Sequence, residues 1–391
     1  MGTTKKIAAF SGVNWDSTES HVLLNPRWPA VDREALNALA LENSLPAHVW
    51  IPSSGSSTDQ FQSVKLIALS KAALLASAEA VNHHVEATKK DIWALALPYF
   101  HVGGLGLEAR AALSGNDVID CLDDGRWSAD FFYEAVKEKK LTLSALVPTQ
   151  VYDLVQLGKK APASLRAIIV GGGALSENLY ESAVKLGWNL LPSYGMTECC
   201  SQVATARLSS IGKQEHPLVC LPHLQVKVDG DAFLMIKGSS LLTGYAQWAD
   251  GKAIWTDPKK DGWFRTADRA EIHDNCVTPL GRSSDYVKIS GEGVNLLHLQ
   301  QLLESVAQKL APEMWEDFAL IALEDERTQN QLVLLTTGRV EARLIQTVIH
   351  DFNQKVAPYE KLKRQHFVDE ISRSPLGKLL REKLKKKISA A

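Results

Sequence analysis

Short apolar runs alternate with amphipathic segments through the middle of the chain. The apolar runs lie at 91–97, 141–147 and 165–170. Such runs are typical of strands that are buried on both faces of a sheet. The segments at 70–85, 128–139 and 176–186 have the apolar spacing of helices, and Ser70 is a suitable N-cap for the first. This alternation predicts an α/β fold built on parallel strands.

The pattern changes twice beyond this region. Between residues 218 and 236, short alternating stretches around Asp229–Gly230 predict a hairpin in a β-rich portion. After about residue 285, the order helix, strand, strand, helix predicts a compact α+β fold. These four elements are expected at 296–309, 318–323, 331–336 and 341–355. The sequence therefore predicts a large N-terminal domain at 1–284 and a small C-terminal domain at 285–391.

Composition and charge narrow the class of protein. The 391 residues are 45% hydrophobic and 23% charged, which is ordinary for a globular protein. The net charge of -2 gives no general attraction to nucleic acid or to anionic membranes. The five cysteines show no C-x-x-C spacing, and no apolar stretch reaches the roughly 20 residues of a membrane span. We therefore expect a cytoplasmic protein without a disulfide framework or zinc site, and a homo-oligomer stays open.

One stretch combines the groups that a nucleotide site needs. It reads Ser-Tyr-Gly-Met-Thr-Glu-Cys-Cys-Ser from Ser193 to Ser201. A glycine lets the backbone approach a ligand closely, and the Tyr194 ring can face a planar base. Thr197 offers a hydroxyl for phosphate, and Glu198 offers a carboxylate for a hard cation. Taken alone, the same residues also describe a structural turn after a strand.

Four further stretches accompany this one in a fixed order along the chain. They lie at 98–101, 262–268, 281–288 and 374–378. Together the five stretches resemble the adenylate-forming superfamily of acyl- and aryl-CoA ligases, over about residues 51–378. The segments 100–105 and 195–202 look most like the o-succinylbenzoate-activating ligases of menaquinone biosynthesis. The resemblance implies a large domain of layered sheets and helices, a small mobile α+β domain, and the use of ATP, Mg²⁺ and CoA.

The resemblance also implies a role for each motif residue at the nucleotide. ATP binding is expected at Ser53, Ser54, Gly55, Ser56, Ser57, Thr58, Lys65, Gly172, Gly173, Ala174, Ser193, Tyr194, Gly195, Asp268 and Arg282. In this set the serine-rich loop would hold phosphates, the glycine turn would contact adenine, and Asp268 would bind the ribose hydroxyls. Thr197 would hold the α-phosphate, Glu198 would bind Mg²⁺, and Lys378 would act in adenylation, so these three are the implied catalytic residues.

A second implied set would bind the carboxylic acid and CoA. The acid pocket is expected at His101, Gly103, Met196 and Ser201. Asp285 would be the hinge of the small domain, and Lys288 and Gly291 would belong to its thioester-forming face. A substrate with a second carboxylate needs a further donor or cation. Ser201, Arg110 and Arg207 are candidates between which the sequence does not choose.

Several features depart from the family pattern. Thr58 and Ala267 stand where the family has glycine, and the segment ahead of the phosphate loop looks shortened. Taken alone, the serine-rich run also describes a flexible loop, and His101 a histidine bonded to local backbone. Two alternatives therefore stay open. One is a ligase for another aryl or acyl acid, and the other is a nucleotide-binding homologue with impaired catalysis.

Overall fold

The computed structural model describes most of the chain. The described residues are 11–53, 64–282, 285–289, 292–325, 327–374, 377 and 379–389. The chain divides into two compact units. Unit 1 comprises Met1–Leu175, Leu179–Thr266 and Ala270–Thr278, and unit 2 comprises Ser176–Asn178, Ala267–Arg269 and Pro279–Ala391. The domain boundary predicted at residue 284 stays a prediction.

The helices follow the apolar spacing of the sequence. They are Ala30–Glu42 (α1), Lys71–His84 (α2), Val102–Ser114 (α3), Ala129–Lys139 (α4), Pro148–Gln156 (α5), Glu177–Lys185 (α6), Leu296–Leu310 (α7), Ala342–Asn353 (α8) and Arg381–Ser389 (α9). The predicted cap of α2 is confirmed, because the Ser70 hydroxyl accepts a hydrogen bond from the Ala73 N–H at 3.1 Å. Ser128 caps α4 in the same way through the Phe131 N–H, at 3.3 Å.

Two sheets contain the strands up to residue 282. The strands are His21–Val22 (β1), His48–Pro52 (β2), Leu66–Ser70 (β3), Ile92–Leu95 (β4), Asp117–Asp120 (β5), Leu143–Leu146 (β6), Ala167–Val170 (β7), Leu190–Met196 (β8), Ser201–Thr205 (β9), Val219–Cys220 (β10), Leu224–Val228 (β11), Phe233–Gly238 (β12), Gly244–Ala249 (β13), Lys252–Thr256 (β14), Lys259–Lys260 (β15), Trp263–His273 (β16) and Cys276–Arg282 (β17).

The large sheet changes from parallel to antiparallel at β8. Its strand order is β11-β12-β16-β17-β10-β9-β8-β7-β6-β4-β5, with β15 beside β16. Strands β5, β4, β6, β7 and β8 are parallel, which confirms the α/β prediction. The predicted hairpin is also present, as the antiparallel pair β11 and β12. The second sheet has the order β1-β2-β3-β13-β14.

A buried carboxylate fixes the entrance to the parallel strands. The Asp91 carboxylate, just before β4, accepts hydrogen bonds from Nε and Nη2 of Arg166 at 2.8 and 3.0 Å. Arg166 itself lies just before β7. The Thr142 hydroxyl, just before β6, donates to the same carboxylate at 2.8 Å. Burial raises the pKa of Asp91, but hydrogen bonds from Arg166, the Thr88 backbone and Thr142, together with the Arg166 charge, lower it to about 2. The residues that precede β4, β6 and β7 are therefore held together by hydrogen bonds to one carboxylate.

Unit 2 has the expected α+β order. Its remaining strands are Tyr286–Ile289 (β18), Glu292–Asn295 (β19), Phe318–Asp325 (β20), Gln329–Thr337 (β21) and Arg364–Val368 (β22). Strands β20 and β21 are antiparallel, and β22 joins β21 in parallel. Helix α7 is anchored to β20 because the Gln300 Oε1 accepts a hydrogen bond from the Leu320 N–H at 2.6 Å. Among the described residues, no helix is long and apolar enough to cross a membrane.

Candidate active site

The nucleotide-type stretch lies where the large sheet changes direction. Strand β8 continues to Met196, a short 3-10 helix spans Thr197–Cys199, and β9 then returns antiparallel to β8. The sequence pattern did not predict a strand over Ser193–Met196. The extension has a physical cause, because pairing with β9 supplies backbone hydrogen bonds to Ser193–Met196 that the local sequence does not reveal.

Close packing of the two strands explains Gly195. The pairing of β8 with β9 shifts register between Tyr194 and Gly195. A Cβ atom at Gly195 would lie 1.8 Å from the Ser201 carbonyl oxygen, so no larger residue fits. The turn itself needs unusual backbone, with φ of 53° at Cys200 and 101° at Ser201. Such conformations in non-glycine residues cluster at functional sites.

Several predicted nucleotide residues lie beside this strand end. The Gly172 backbone has φ of 80°, which favours glycine, and a Cβ on the preceding Gly171 would lie 3.4 Å from the Ser193 carbonyl oxygen. The glycine turn and β8 are therefore adjacent. The Ser193 hydroxyl faces β9, where it shares a hydrogen bond of 2.9 Å with Thr205. Tyr194 and Met196 are half-buried against the core.

Glu198 is held by the second sheet. Its backbone carbonyl accepts a hydrogen bond from the Leu242 N–H at 2.8 Å, and its Oε1 accepts one from the Tyr245 hydroxyl at 3.0 Å. The Lys65 ammonium lies 5.5 Å from the centroid of the Tyr245 ring. Lys65 and Glu198 therefore meet at one aromatic side chain. The sequence motifs did not single out Tyr245.

A magnesium ion is compatible with this donor set. No cluster of three or more His, Cys, Asp or Glu suited to a metal occurs among the residues described. Mg²⁺ is commonly bound by one or two carboxylates together with substrate phosphates and water. Glu198 fits that pattern, because it is a half-buried carboxylate whose Oε1 accepts a hydrogen bond from the neutral Tyr245 hydroxyl.

Two residues of the predicted acid pocket, His101 and Gly103, lie at the start of α3. His101 is the N-cap residue of this helix, and burial lowers its pKa. A Cβ on Gly103 would lie 2.9 Å from the Leu97 side chain, so this glycine lets α3 begin close to the end of β4. Its role in packing is thus independent of any ligand. A neutral imidazole at His101 is suited to hydrogen bonding rather than to pairing with an anion.

Arg110 of α3 is a buried cation that forms no ion pair with any residue that the structure describes. Its side chain is 1% exposed, and its Nε and Nη1 atoms have no hydrogen-bond partner within the described part of the chain. Burial lowers its pKa to about 10, so the guanidinium still carries a proton at neutral pH. A Cβ on Gly106 would lie 3.4 Å from both Arg110 Nη2 and Ser201 Cβ. Two of the three candidates for a second carboxylate are therefore neighbours, whereas Arg207 is exposed.

Some of the predicted site residues fall outside the described residues; these are Ser54, Gly55, Ser56, Ser57, Thr58, Gly291 and Lys378. Ser53 and Lys65 flank the loop, and their backbones pair at 2.9 Å. Asp268 and Asp285 belong to unit 2, as do the backbones of Arg282 and Lys288. Within unit 2, Asp285 forms an ion pair with Arg381 at 2.6 Å.

Comparison with known families agrees with this geometry. Residues 63–246 match the family described as AMP-binding enzyme. This match confirms the predicted resemblance to the adenylate-forming superfamily over these residues.

Individual relatives indicate which enzymes of the superfamily the chain is similar to. The 2-succinylbenzoate--CoA ligase of Bacillus cytotoxicus is 28% identical over 309 residues, which are 75% of this chain and 61% of the relative. The enzyme of the same name from Bacillus licheniformis is 27% identical over the same shares. The chain thus spans about three fifths of the length of these relatives.

Solved structures show the same fold. The o-succinylbenzoate CoA synthetase of Bacillus subtilis, in complex with the acyl-adenylate intermediate OSB-AMP, superposes with a TM-score of 0.72 and 22% identity. The match covers 86% of this chain and 68% of that one. The same enzyme in complex with ATP and magnesium gives a TM-score of 0.71 over 86% of this chain and 69% of that one. The predicted fold class is therefore confirmed.

Proposed function

We propose that this protein is an ATP-dependent acid-thiol ligase that activates o-succinylbenzoate and transfers its acyl group to CoA. In the first step a substrate carboxylate oxygen attacks the α-phosphorus of ATP, and the bond to pyrophosphate breaks. In the second step the CoA thiol sulfur attacks the acyl carbon of the adenylate, its proton is lost, and AMP leaves. The AMP-binding domain and the named relatives support this assignment. ATP and CoA are cytoplasmic metabolites, so we expect the activity in the cytoplasm.

The buried Arg110 is the single observation that favours a dicarboxylic substrate. A guanidinium without a counter-ion in a closed environment carries a large desolvation cost. A carboxylate from the substrate would supply the missing acceptor, and Arg forms short, two-point hydrogen bonds with that group. Ser201 could donate a further hydrogen bond from the turn that ends the nucleotide stretch. A monocarboxylic acid would leave the Arg110 charge unmatched.

The residues at the end of β8 have complementary roles in this proposal. Thr197 would hold the α-phosphate, and Glu198 would hold the Mg²⁺ that neutralises charge on the phosphates. Lys65 and the loop from Ser53 to Thr58 would position the outer phosphates. Stabilisation of developing negative charge by fixed donors is the main catalytic contribution expected of such groups.

In this proposal Lys378 acts in the first step and moves away from the reacting groups before the second. Its ammonium is suited to stabilising the attacking carboxylate and the α-phosphate. The second step needs that space for the pantetheine thiol. We therefore include in the proposal a rotation of the small domain at Asp285 between the steps, with Lys288 and Gly291 at the CoA side.

Exchange of radiolabelled pyrophosphate into ATP tests the first step. It should be stimulated by o-succinylbenzoate and less by acids that lack a second carboxylate, and it should require Mg²⁺. Exchange with a different acid alone would replace the substrate assignment. Absence of exchange with every acid would favour the impaired nucleotide-binding homologue.

Variants at Lys378 separate the two half-reactions. Lys378→Ala should abolish exchange and still form thioester from supplied acyl-adenylate, because the amine serves only the first step. Lys386→Ala is the matched control, since Lys386 is an exposed lysine of α9. Equal loss of both half-reactions in Lys378→Ala would contradict the proposed role.

A further inference from the structure

Tyr245 connects two groups that the proposed reaction needs and that lie far apart in the sequence. Its hydroxyl donates to Glu198 Oε1 at 3.0 Å. Its ring lies 5.5 Å from the Lys65 ammonium. An ammonium over an aromatic face is attracted by the ring quadrupole. One side chain therefore contacts both the expected metal ligand and the lysine that flanks the expected phosphate loop.

The backbone around Tyr245 is fixed from several directions. On β13, Tyr245 pairs with Ile67 of β3 and with Thr256 of β14. Its neighbour Gly244 is tightly enclosed, because a Cβ there would lie 2.4 Å from the Trp255 ring. Tyr245 is thus part of an interior strand of the second sheet, with a backbone paired on both sides.

The residues just before β13 reinforce this rigidity. The Lys259 ammonium donates to the carbonyl oxygens of Leu242 and Thr243 at 2.8 and 3.0 Å. The Thr243 hydroxyl is 2.8 Å from His48 Nε2, whose other ring nitrogen lies 2.7 Å from a carbonyl oxygen. The Leu242 N–H holds the backbone of Glu198 at 2.8 Å. Leu242 therefore binds the backbone of Glu198, and Tyr245 binds its side chain.

We propose that Tyr245 is a positioning residue for the metal- and phosphate-binding groups of unit 1. Its hydroxyl orients the Glu198 carboxylate and leaves the other oxygen for the cation, while its ring supports the Lys65 ammonium. The inference rests on the proposed function, because it assumes that Glu198 and Lys65 serve bound Mg·ATP. Tyr245 itself touches neither phosphate nor metal in this account.

The geometry gives the two parts of the side chain separable effects. Loss of the hydroxyl frees the Glu198 carboxylate, and its preferred orientation then has to be restored on binding at an entropic cost. Loss of the ring removes the support for Lys65 as well. Tyr245→Phe therefore tests the hydroxyl alone, whereas Tyr245→Leu tests hydroxyl and ring together.

Calorimetric titration with ATP, without acid substrate, measures both effects without turnover. The dissociation constant is determined with Mg²⁺ and again with EDTA. For Tyr245→Phe we expect the Mg²⁺-dependent gain in affinity to fall by about 3- to 10-fold, because the carboxylate remains and only its orientation is lost; this is the size of the net contribution of one typical intramolecular hydrogen bond. Its affinity in EDTA should stay within about twofold of wild type, since the ring remains under Lys65.

The second variant and a control complete the test. Tyr245→Leu should in addition weaken ATP binding in EDTA by about 2- to 5-fold, and this further loss should largely disappear in the Lys65→Met background, because the ring acts through Lys65. Tyr180→Phe is the matched control, since its hydroxyl accepts a hydrogen bond from the Gly212 N–H away from this site. It should leave both dissociation constants unchanged.

The possible results separate this inference from the proposed function. If wild type binds Mg·ATP and Tyr245→Phe retains the full gain from Mg²⁺, the positioning role is wrong and the ligase proposal stands. If wild type binds no ATP in either condition, both are wrong. Because Tyr245→Phe removes a single oxygen from a half-buried ring, its result decides the question even if Tyr245→Leu does not fold.

Discussion

Replacement of Arg110 by methionine should have opposite effects on stability and on activity. The guanidinium is 1% exposed, and two of its nitrogens have no hydrogen-bond partner in the described part of the chain. Each unsatisfied buried polar group costs about 1–3 kcal/mol. The Arg110 guanidinium also lies 5.5 Å from the centroid of the Trp93 ring, a type of interaction worth about 0.5–2 kcal/mol.

The sum of these contributions favours the methionine variant when no substrate is bound. Replacement of buried ionic groups by apolar ones of similar volume is often neutral or stabilising by about 1–4 kcal/mol. We expect Arg110→Met to keep or raise the melting temperature of the free protein, by up to several degrees. Differential scanning calorimetry measures this change, and Arg207→Met serves as a control because Arg207 is exposed.

Activity should change in the other direction and only for one kind of acid. A hydrogen bond between charged groups contributes about 1.5–3 kcal/mol, which corresponds to a fall of about 10- to 150-fold in kcat/KM for o-succinylbenzoate. Benzoylpropionate, which lacks the ring carboxylate, should be used by wild type and variant at similar rates. Loss of stability together with an equal loss for both acids would mean that Arg110 is structural. An unchanged kcat/KM for o-succinylbenzoate would refute the assigned contact.

Three further variants test the fold of unit 1 and the proposed hinge. Asp91→Asn should destabilise unit 1 by about 2 kcal/mol at neutral pH, because Arg166 and its neighbours lower the Asp91 pKa from 3.8 to about 2. That contribution is complete above pH 4 and is lost as the pH falls toward 2, so urea unfolding of variant and wild type should converge there; a constant difference would contradict the linkage. Gly195→Ala should cost at least about 2 kcal/mol and most activity, because the new Cβ meets the Ser201 carbonyl oxygen, whereas Gly230→Ala is a tolerated control; equal melting temperatures would be contrary to the packing. Asp285→Pro should slow thioester formation more than pyrophosphate exchange by stiffening the proposed hinge, and parallel losses would argue against rotation.

Local sequence patterns predicted the elements of this fold better than the contacts between them. The Ser70 cap and the parallel strands followed from neighbouring residues, since capping and apolar spacing are local properties. The full length of β8 did not, because its last residues become a strand only by pairing with β9. The apolar spacing within one segment cannot reveal that a second strand, here β9, will pair with it.

The candidate site shows the same division. Thr197 and Glu198 were identified from their motif, but the support of Glu198 by Tyr245 connects positions 47 residues apart and has no local signal. Likewise, the sequence could not choose between Arg110 and Arg207, because the difference between them is burial. Burial depends on how α3 packs against the end of the large sheet, which is a property of the whole unit.

In the proposed reaction, ATP is used to adenylate a carboxylic acid before a thiol attacks it. Mass spectrometry of the products from o-succinylbenzoate, ATP, Mg²⁺ and CoA tests this order of steps. We expect one thioester, one AMP and one pyrophosphate for each acid consumed, with acyl-adenylate accumulating when CoA is left out. Formation of ADP and phosphate, or no nucleotide turnover with any acid, would contradict it.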